Sequence, residues 1–202
     1  MKRPVLVLAM AAAMLLAAPV GHAAIISLYA DLNGANEAPP NASPGTGFAS
    51  VSVDTATHLM HVHVDFRDLL GTTTAAHIHC CTSLPLTGTV GVATTVPNFT
   101  GFPLGVTSGL YEHDFDLGLT SSYNPSFLAA NGGTAAAAEA VLLAGMTSGR
   151  SYLNIHTTFR PGGEIRGFLV PEPAMISLLT LGLGLGFVSL RRKNTGEDSR
   201  AT

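Results

Sequence analysis

The sequence predicts an all-β protein: an antiparallel β-sandwich or Greek-key barrel with one short helix, flanked by terminal signal and transmembrane helices. Three observations carry this. Apolar and polar residues alternate with a period of two through most segments between residues 25 and 170, the pattern of half-buried strands. Turn formers separate those segments at Asn33-Gly34, Pro44-Gly45, Pro103-Leu104-Gly105 and Pro161-Gly162-Gly163. Charged residues are only 11% of the 202, against about 25% in an average globular chain, which excludes a coiled coil and a charge-rich disordered chain.

In chain order, residues 25–32 form an apolar opening strand. Residues 47–54 set Ala49, Val51 and Val53 against Phe48, Ser50 and Ser52. Residues 58–66 send Met60, Val62, Val64 and Phe66 to one face and His61, His63 and Asp65 to the other. Residues 75–80 bury Ala76, Ile78 and Cys80 and turn His77 and His79 outward. Strands at 111–117, 151–157 and 163–170 complete the set. Thr134 is placed to cap a helix over 135–144, with Gly145 as its stop, and a shorter turn follows Asn124-Pro125. Residues 82–109, rich in Thr, Gly and Pro, read as long loops. Gly162 and Gly163 predict a tight hairpin turn, because glycine alone enters positive φ freely.

The two ends read as addresses. Residues 1–23 combine Lys2-Arg3, an apolar run and the small-x-small ending Gly21-His22-Ala23, the layout of a signal peptide cleaved after Ala23. Residues 171–193 run Pro171-Glu172-Pro173, an apolar stretch over 174–190, then Arg191-Arg192-Lys193, followed by a short cytoplasmic tail at 194–202. Seventeen apolar residues just cross a bilayer, with the basic cluster on the cytoplasmic side. The body, residues 24–170, then lies outside the inner membrane. It has ten acids and four arginines, a formal charge of −6, so a nucleic-acid or other phosphate-binding surface is excluded.

Two chemistries are open on the polar strand faces. His77-Ile78-His79 places two imidazoles on one face, about 6.5 Å apart along the strand. Tyr152-Leu153-Asn154-Ile155-His156 turns Tyr152, Asn154 and His156 one way. With His156 as third ligand, His77 and His79 form a three-histidine site with an open position, suited to zinc or copper. The alternative is a hydrogen-bonded patch in which Arg166 meets Glu164 beside Asn154, and a single His-x-His without fixed partner spacing favours that patch. His61 and His63 read as a second, solvent-facing pair. Glu112, Asp114 and Asp116 read as a solvated edge rather than glycosidase carboxylates or a calcium patch. Cys80 and Cys81, the only cysteines, are disulfide candidates in an exported protein. A vicinal bridge, separate thiols, an intermolecular bridge and ligation beside His79 all remain open. No nucleophile elbow, zinc-protease helix, P-loop or dinucleotide motif is present, so no catalytic residue is assigned.

Two resemblances add to this. The order Pro171-Glu172-Pro173, apolar span, Arg191-Arg192-Lys193 resembles the PEP-CTERM sorting signal of Gram-negative bacteria. That resemblance implies an exosortase-type processing enzyme as partner, cutting near Pro171, Glu172 and Pro173 an inner-membrane-anchored precursor held through 174–190. The body then goes to the cell surface, envelope or exopolysaccharide matrix, or is secreted. The body itself resembles the CHRD domain, through Leu32-Asn33-Gly34, Asn36-Glu37-Ala38-Pro39-Pro40, Gly45-Thr46-Gly47-Phe48-Ala49, Ala75-Ala76-His77-Ile78-His79, Tyr152-Leu153-Asn154-Ile155-His156-Thr157 and Pro161-Gly162-Gly163-Glu164-Ile165-Arg166-Gly167. It departs where Cys80-Cys81-Thr82 replaces a Gly-rich turn. The resemblance implies a β-sandwich-like extracellular domain with no established reaction. The expected role is non-enzymatic binding or structure, with an exopolysaccharide or surface protein as partner. The alternative is a metal-binding or redox protein.

Overall fold

The computed structural model describes residues 24–171. Ala23, Glu172, Pro173, the signal segment, the apolar 174–190 span and the 194–202 tail lie outside the described residues. No helix among the described residues is long and apolar enough to cross a membrane.

Eight strands form one antiparallel sheet: β1 (Ile25–Asn33), β2 (Thr46–Asp54), β3 (Leu59–Arg67), β4 (Thr73–Cys80), β5 (Gly109–Asp116), β6 (Ser151–Thr157), β7 (Ile165–Phe168) and β8 (Val170–Pro171). Their order is β4-β6-β7-β1-β2-β3-β5, with β8 also on β1. The all-β expectation holds in a different closure from a two-sheet sandwich. A single sheet curls over one core, and its terminal strands β4 and β5 do not pair with each other.

The alternation decides which face is inward. Val51, Val62, Val64, Ile78, Leu153 and Ile155 are all buried in one cluster, each worth about 2 kcal/mol of apolar transfer. The open side of the curl is filled from residues 97–103, which composition alone reads as loop. Phe99 N–H donates to the Ala76 carbonyl of β4, while its ring stacks 5.7 Å from Tyr111 of β5. Phe102 stacks 5.5 Å from Phe66. These aromatics do the joining that backbone pairing would do in a closed barrel.

Two helices, α1 (Pro125–Ala130) and α2 (Ala135–Thr147), cover one end. Asn124 and Thr134 cap them, accepting from Ser126 N–H and Ala137 N–H. Gly145 does not stop α2, which runs to Thr147. The glycine is there for packing: a Cβ on it would overlap the sulfurs of both Cys80 and Cys81. Gly163 takes positive φ (131°) and Gly162 does not, so a tight turn forms as expected but only one of the two glycines uses the left-handed region. There the Gly163 N–H donates to the Arg160 carbonyl at 3.0 Å.

Candidate metal centre

The β4–β6 register builds the site. Pairing His77 with Asn154, His79 with Tyr152 and Ala75 with His156 puts His77, His79 and His156 on the sheet face away from the core. Their ring centroids lie 5.9 Å (His77–His79), 5.3 Å (His77–His156) and 5.8 Å (His79–His156) apart. One nitrogen from each ring lies within 4.8 Å of the other two.

The opposite nitrogens are held by backbone carbonyls. His77 Nε2–H donates to Pro97 O at 2.6 Å, His79 Nδ1–H to Val90 O at 2.8 Å and His156 Nδ1–H to Pro161 O at 2.9 Å. A carbonyl only accepts, so each bond places the proton on that nitrogen and leaves a lone pair on the other. The other nitrogens, His77 Nδ1, His79 Nε2 and His156 Nε2, are buried and have no hydrogen-bond partner. Burial pushes His77 and His79 down to about 4 and lowers His156 as well, so all three are neutral at pH 7. Three neutral imidazoles aim unprotonated nitrogens at one point, each oriented by a second hydrogen bond, as in metal-binding histidines.

A polar layer adjoins the triad. The Tyr152 ring stacks on His79 at 4.7 Å and 8°. The Arg166 guanidinium sits 4.7 Å over the Tyr152 ring and 5.6 Å from the Phe168 ring. Arg166 donates to the Asn36 and Gly88 carbonyls and lies 3.9 Å from Glu37. Burial pushes the Glu37 carboxyl up to about 7, against the opposing pull of Arg166. Asn154 stands beside Glu37, and an added Cβ at Gly163 would press on both at 2.6–2.7 Å.

Glu164 is a correction. It does not share the polar face with Arg166. Its fully buried carboxylate accepts from Leu70 N–H (2.6 Å), Gly71 N–H (3.1 Å), Ser43 Oγ (2.6 Å) and Thr157 Oγ1 (2.6 Å). Burial raises its pKa, but those four bonds outweigh burial and hold it below the usual carboxylate value. The Gly162-Gly163 turn precedes it, so strand alternation is not yet established at Glu164, and β7 begins at Ile165. The carboxylate that meets Arg166 is Glu37, which stands in the Asn36-Glu37-Ala38 motif but received no role from sequence. An acid among small and proline residues was the available signal.

His61 and His63 face outward from β3 and pair across to β5, with Asp114 at 2.7 Å and Glu112 at 3.0 Å. No third donor joins them in a metal-sized cluster among the described residues. Cys80 and Cys81 are bonded to each other as a vicinal disulfide. Pro171 ends β8 opposite Leu28 of β1.

The family model of the CHRD domain matches residues 28–169. The chain belongs to the CHRD domain family. Comparison with curated proteins and with solved structures gave no match. The matched span of this CHRD domain contains all three histidines, Glu37, Arg166 and every carbonyl that orients a ring.

Proposed function

We propose that this CHRD domain is an exported, non-enzymatic metal-binding domain. In this reading His77 Nδ1, His79 Nε2 and His156 Nε2 hold one zinc or copper ion. The supporting observation is the set of three buried nitrogens without partners, each on a ring whose other nitrogen donates to a carbonyl. Buried lone pairs without donors are rare in folded proteins and call for an occupant. A bound metal supplies a Lewis-acidic centre with an open position. The chain orients the three rings, keeps them neutral and covers the site with the 88–97 segment. As a hydrogen-bonded patch alone, the triad would leave those nitrogens unsatisfied.

The test is elemental analysis of the purified protein after dialysis and after reconstitution with zinc or copper. One equivalent is expected, lost in the His77→Ala/His156→Ala double variant without loss of the folded circular-dichroism spectrum. Absence of copper, zinc and iron after reconstitution overturns the metal reading and leaves a purely structural or binding role.

The ends of the chain support a second element of the reading, namely where the domain goes. An exosortase-type enzyme cuts the anchored precursor near Pro171, Glu172 and Pro173 and delivers the domain to the cell surface or exopolysaccharide matrix, where a polysaccharide or surface protein is its partner. Mass spectrometry of material released from cells is expected to find an N-terminus at Ala24 and a C-terminus near residues 171–173. Intact 174–190 in mature protein marks a plain anchor instead.

A further inference from the structure

A cavity of about 440 Å³ lies between α1, α2 and the end of β4, within the range of small-ligand sites. None of the three histidines lines it, although Val90, whose carbonyl orients His79, does. The vicinal disulfide Cys80–Cys81 forms part of its wall. Phe127, Val92 and Val141 supply an apolar surface, and Arg150 stands at its edge. Gly145 lets α2 pack directly on both sulfurs, so the disulfide wall is backed by a helix.

Arg150 is the informative residue. Its Nε–H donates to Thr82 O, and its own carbonyl accepts from Thr82 N–H at 2.9 Å. This double link fixes the arginine to the segment that follows the disulfide. Among the described residues Arg67 meets Asp68 and Arg166 meets Glu37, whereas neither Arg150 nor Arg160 has a carboxylate within ion-pair distance; of these two only Arg150 lines the cavity, and Arg160 lies over the Phe159 ring. What sets Arg150 apart is that its guanidinium is held in place at the wall of a cavity, where an anionic group can reach it. Its planar fork matches a carboxylate. The neighbouring disulfide and aliphatic side chains carry no titratable group and suit an apolar body.

We infer that this cavity binds a small organic carboxylate, with the carboxylate on Arg150 and the apolar part against the disulfide, Phe127 and Val141. Phenylacetate is the probe, titrated into the full-length ¹⁵N-labelled protein, with 2-phenylethanol as the neutral control. Saturable shifts are expected at the Gly91, Val92, Ala130 and Val141 amides. The alcohol is expected to bind roughly ten- to a hundredfold more weakly, the scale of one charge-assisted contact. Arg150→Gln should weaken phenylacetate by a similar factor. Val141→Trp, at an exposed position of α2 that lines the cavity, should fill the cavity and abolish the shifts. Absence of saturable shifts at these amides, equal affinity for acid and alcohol, or unchanged binding in either folded variant overturns the proposal.

Discussion

At the scale of the residue, neighbouring side chains with similar sequence signals have opposite fates. Glu164 and Arg166 are two apart in a strand-like segment, yet one serves the core side and the other the polar layer. Glu164 anchors the 70–71 backbone, Ser43 and Thr157 at one point. Glu164→Gln keeps the shape but turns an amide N–H₂ toward backbone donors. It is expected to destabilise the domain by roughly 2–3 kcal/mol, read as a lower urea midpoint with unchanged slope. An unchanged midpoint would mean that the carboxylate is not the anchor described. The histidines follow the same logic in reverse: carbonyls on one side of each ring make the other side a lone-pair donor. Sequence placed His77 and His79 on the face opposite Ala76 and Ile78, but the 88–97 segment buries them there, and nothing in residue type marks which ring nitrogen a loop carbonyl will hold.

At the scale of the element, period-two alternation made β2, β3, β4 and β6 legible, because each has one face in the core and one out. The 97–103 segment was not legible. Its role comes from Phe99 and Phe102 filling the gap between β4 and β5, and isolated aromatics among Thr, Gly and Pro have no periodicity. In α2 the cap at Thr134 was readable, while the end was not, since Gly145 serves packing rather than termination. This reverses the usual sign of a glycine substitution. In an open helix Gly→Ala stabilises by about 1 kcal/mol. Here the new methyl meets two sulfurs and, at 2.9 Å, Ser151 Oγ. Gly145→Ala is expected to destabilise by roughly 1–3 kcal/mol, visible as a lower melting temperature under non-reducing conditions. A rise in melting temperature would contradict the packing described.

At the scale of the whole molecule, the buried neutral histidines make the metal-free domain acid-sensitive. In the unfolded chain these imidazoles take up protons below about 6.5, while folded His77 and His79 resist protonation down to about 4. The unfolded state therefore binds more protons between those values. The histidine contribution is complete above pH 6.5 and falls as pH drops toward 4; the Glu37 carboxyl, raised to about 7, offsets the loss at one of the two histidines because it takes up a proton in the folded state over the same range. Glu164, with its lowered pKa, acts in the same direction as the histidines at still lower pH. His58, raised by its hydrogen bond to Glu139, acts oppositely, but its side chain is half exposed and screened. Urea midpoints at pH 7.5 and 4.5 check the sum: a lower midpoint at pH 4.5 is expected. Metal acts on the same equilibrium by binding only the folded state. At a thousandfold excess over Kd it adds about 4 kcal/mol, roughly 10 °C in melting temperature for a domain of this size. A chelator is expected to remove that gain, and the His77→Ala/His156→Ala variant is expected not to show it.

The sequence by itself determined the all-β class, the inward face of each principal strand, the placing of His77 and His79 on the face opposite Ala76 and Ile78, the capped start of α2 at Thr134 and the motifs by which the chain is a CHRD domain. These are local properties, set by side-chain period and by which residues satisfy a helix end or a turn. Only the tertiary structure decided that a single curled sheet replaces two, that His156 converges with His77 and His79, that Glu37 rather than Glu164 meets Arg166, and that the disulfide backs a cavity edged by Arg150. Each of these depends on the register of strands far apart in the chain or on backbone carbonyls, which every residue carries alike and which therefore leave no mark in the sequence.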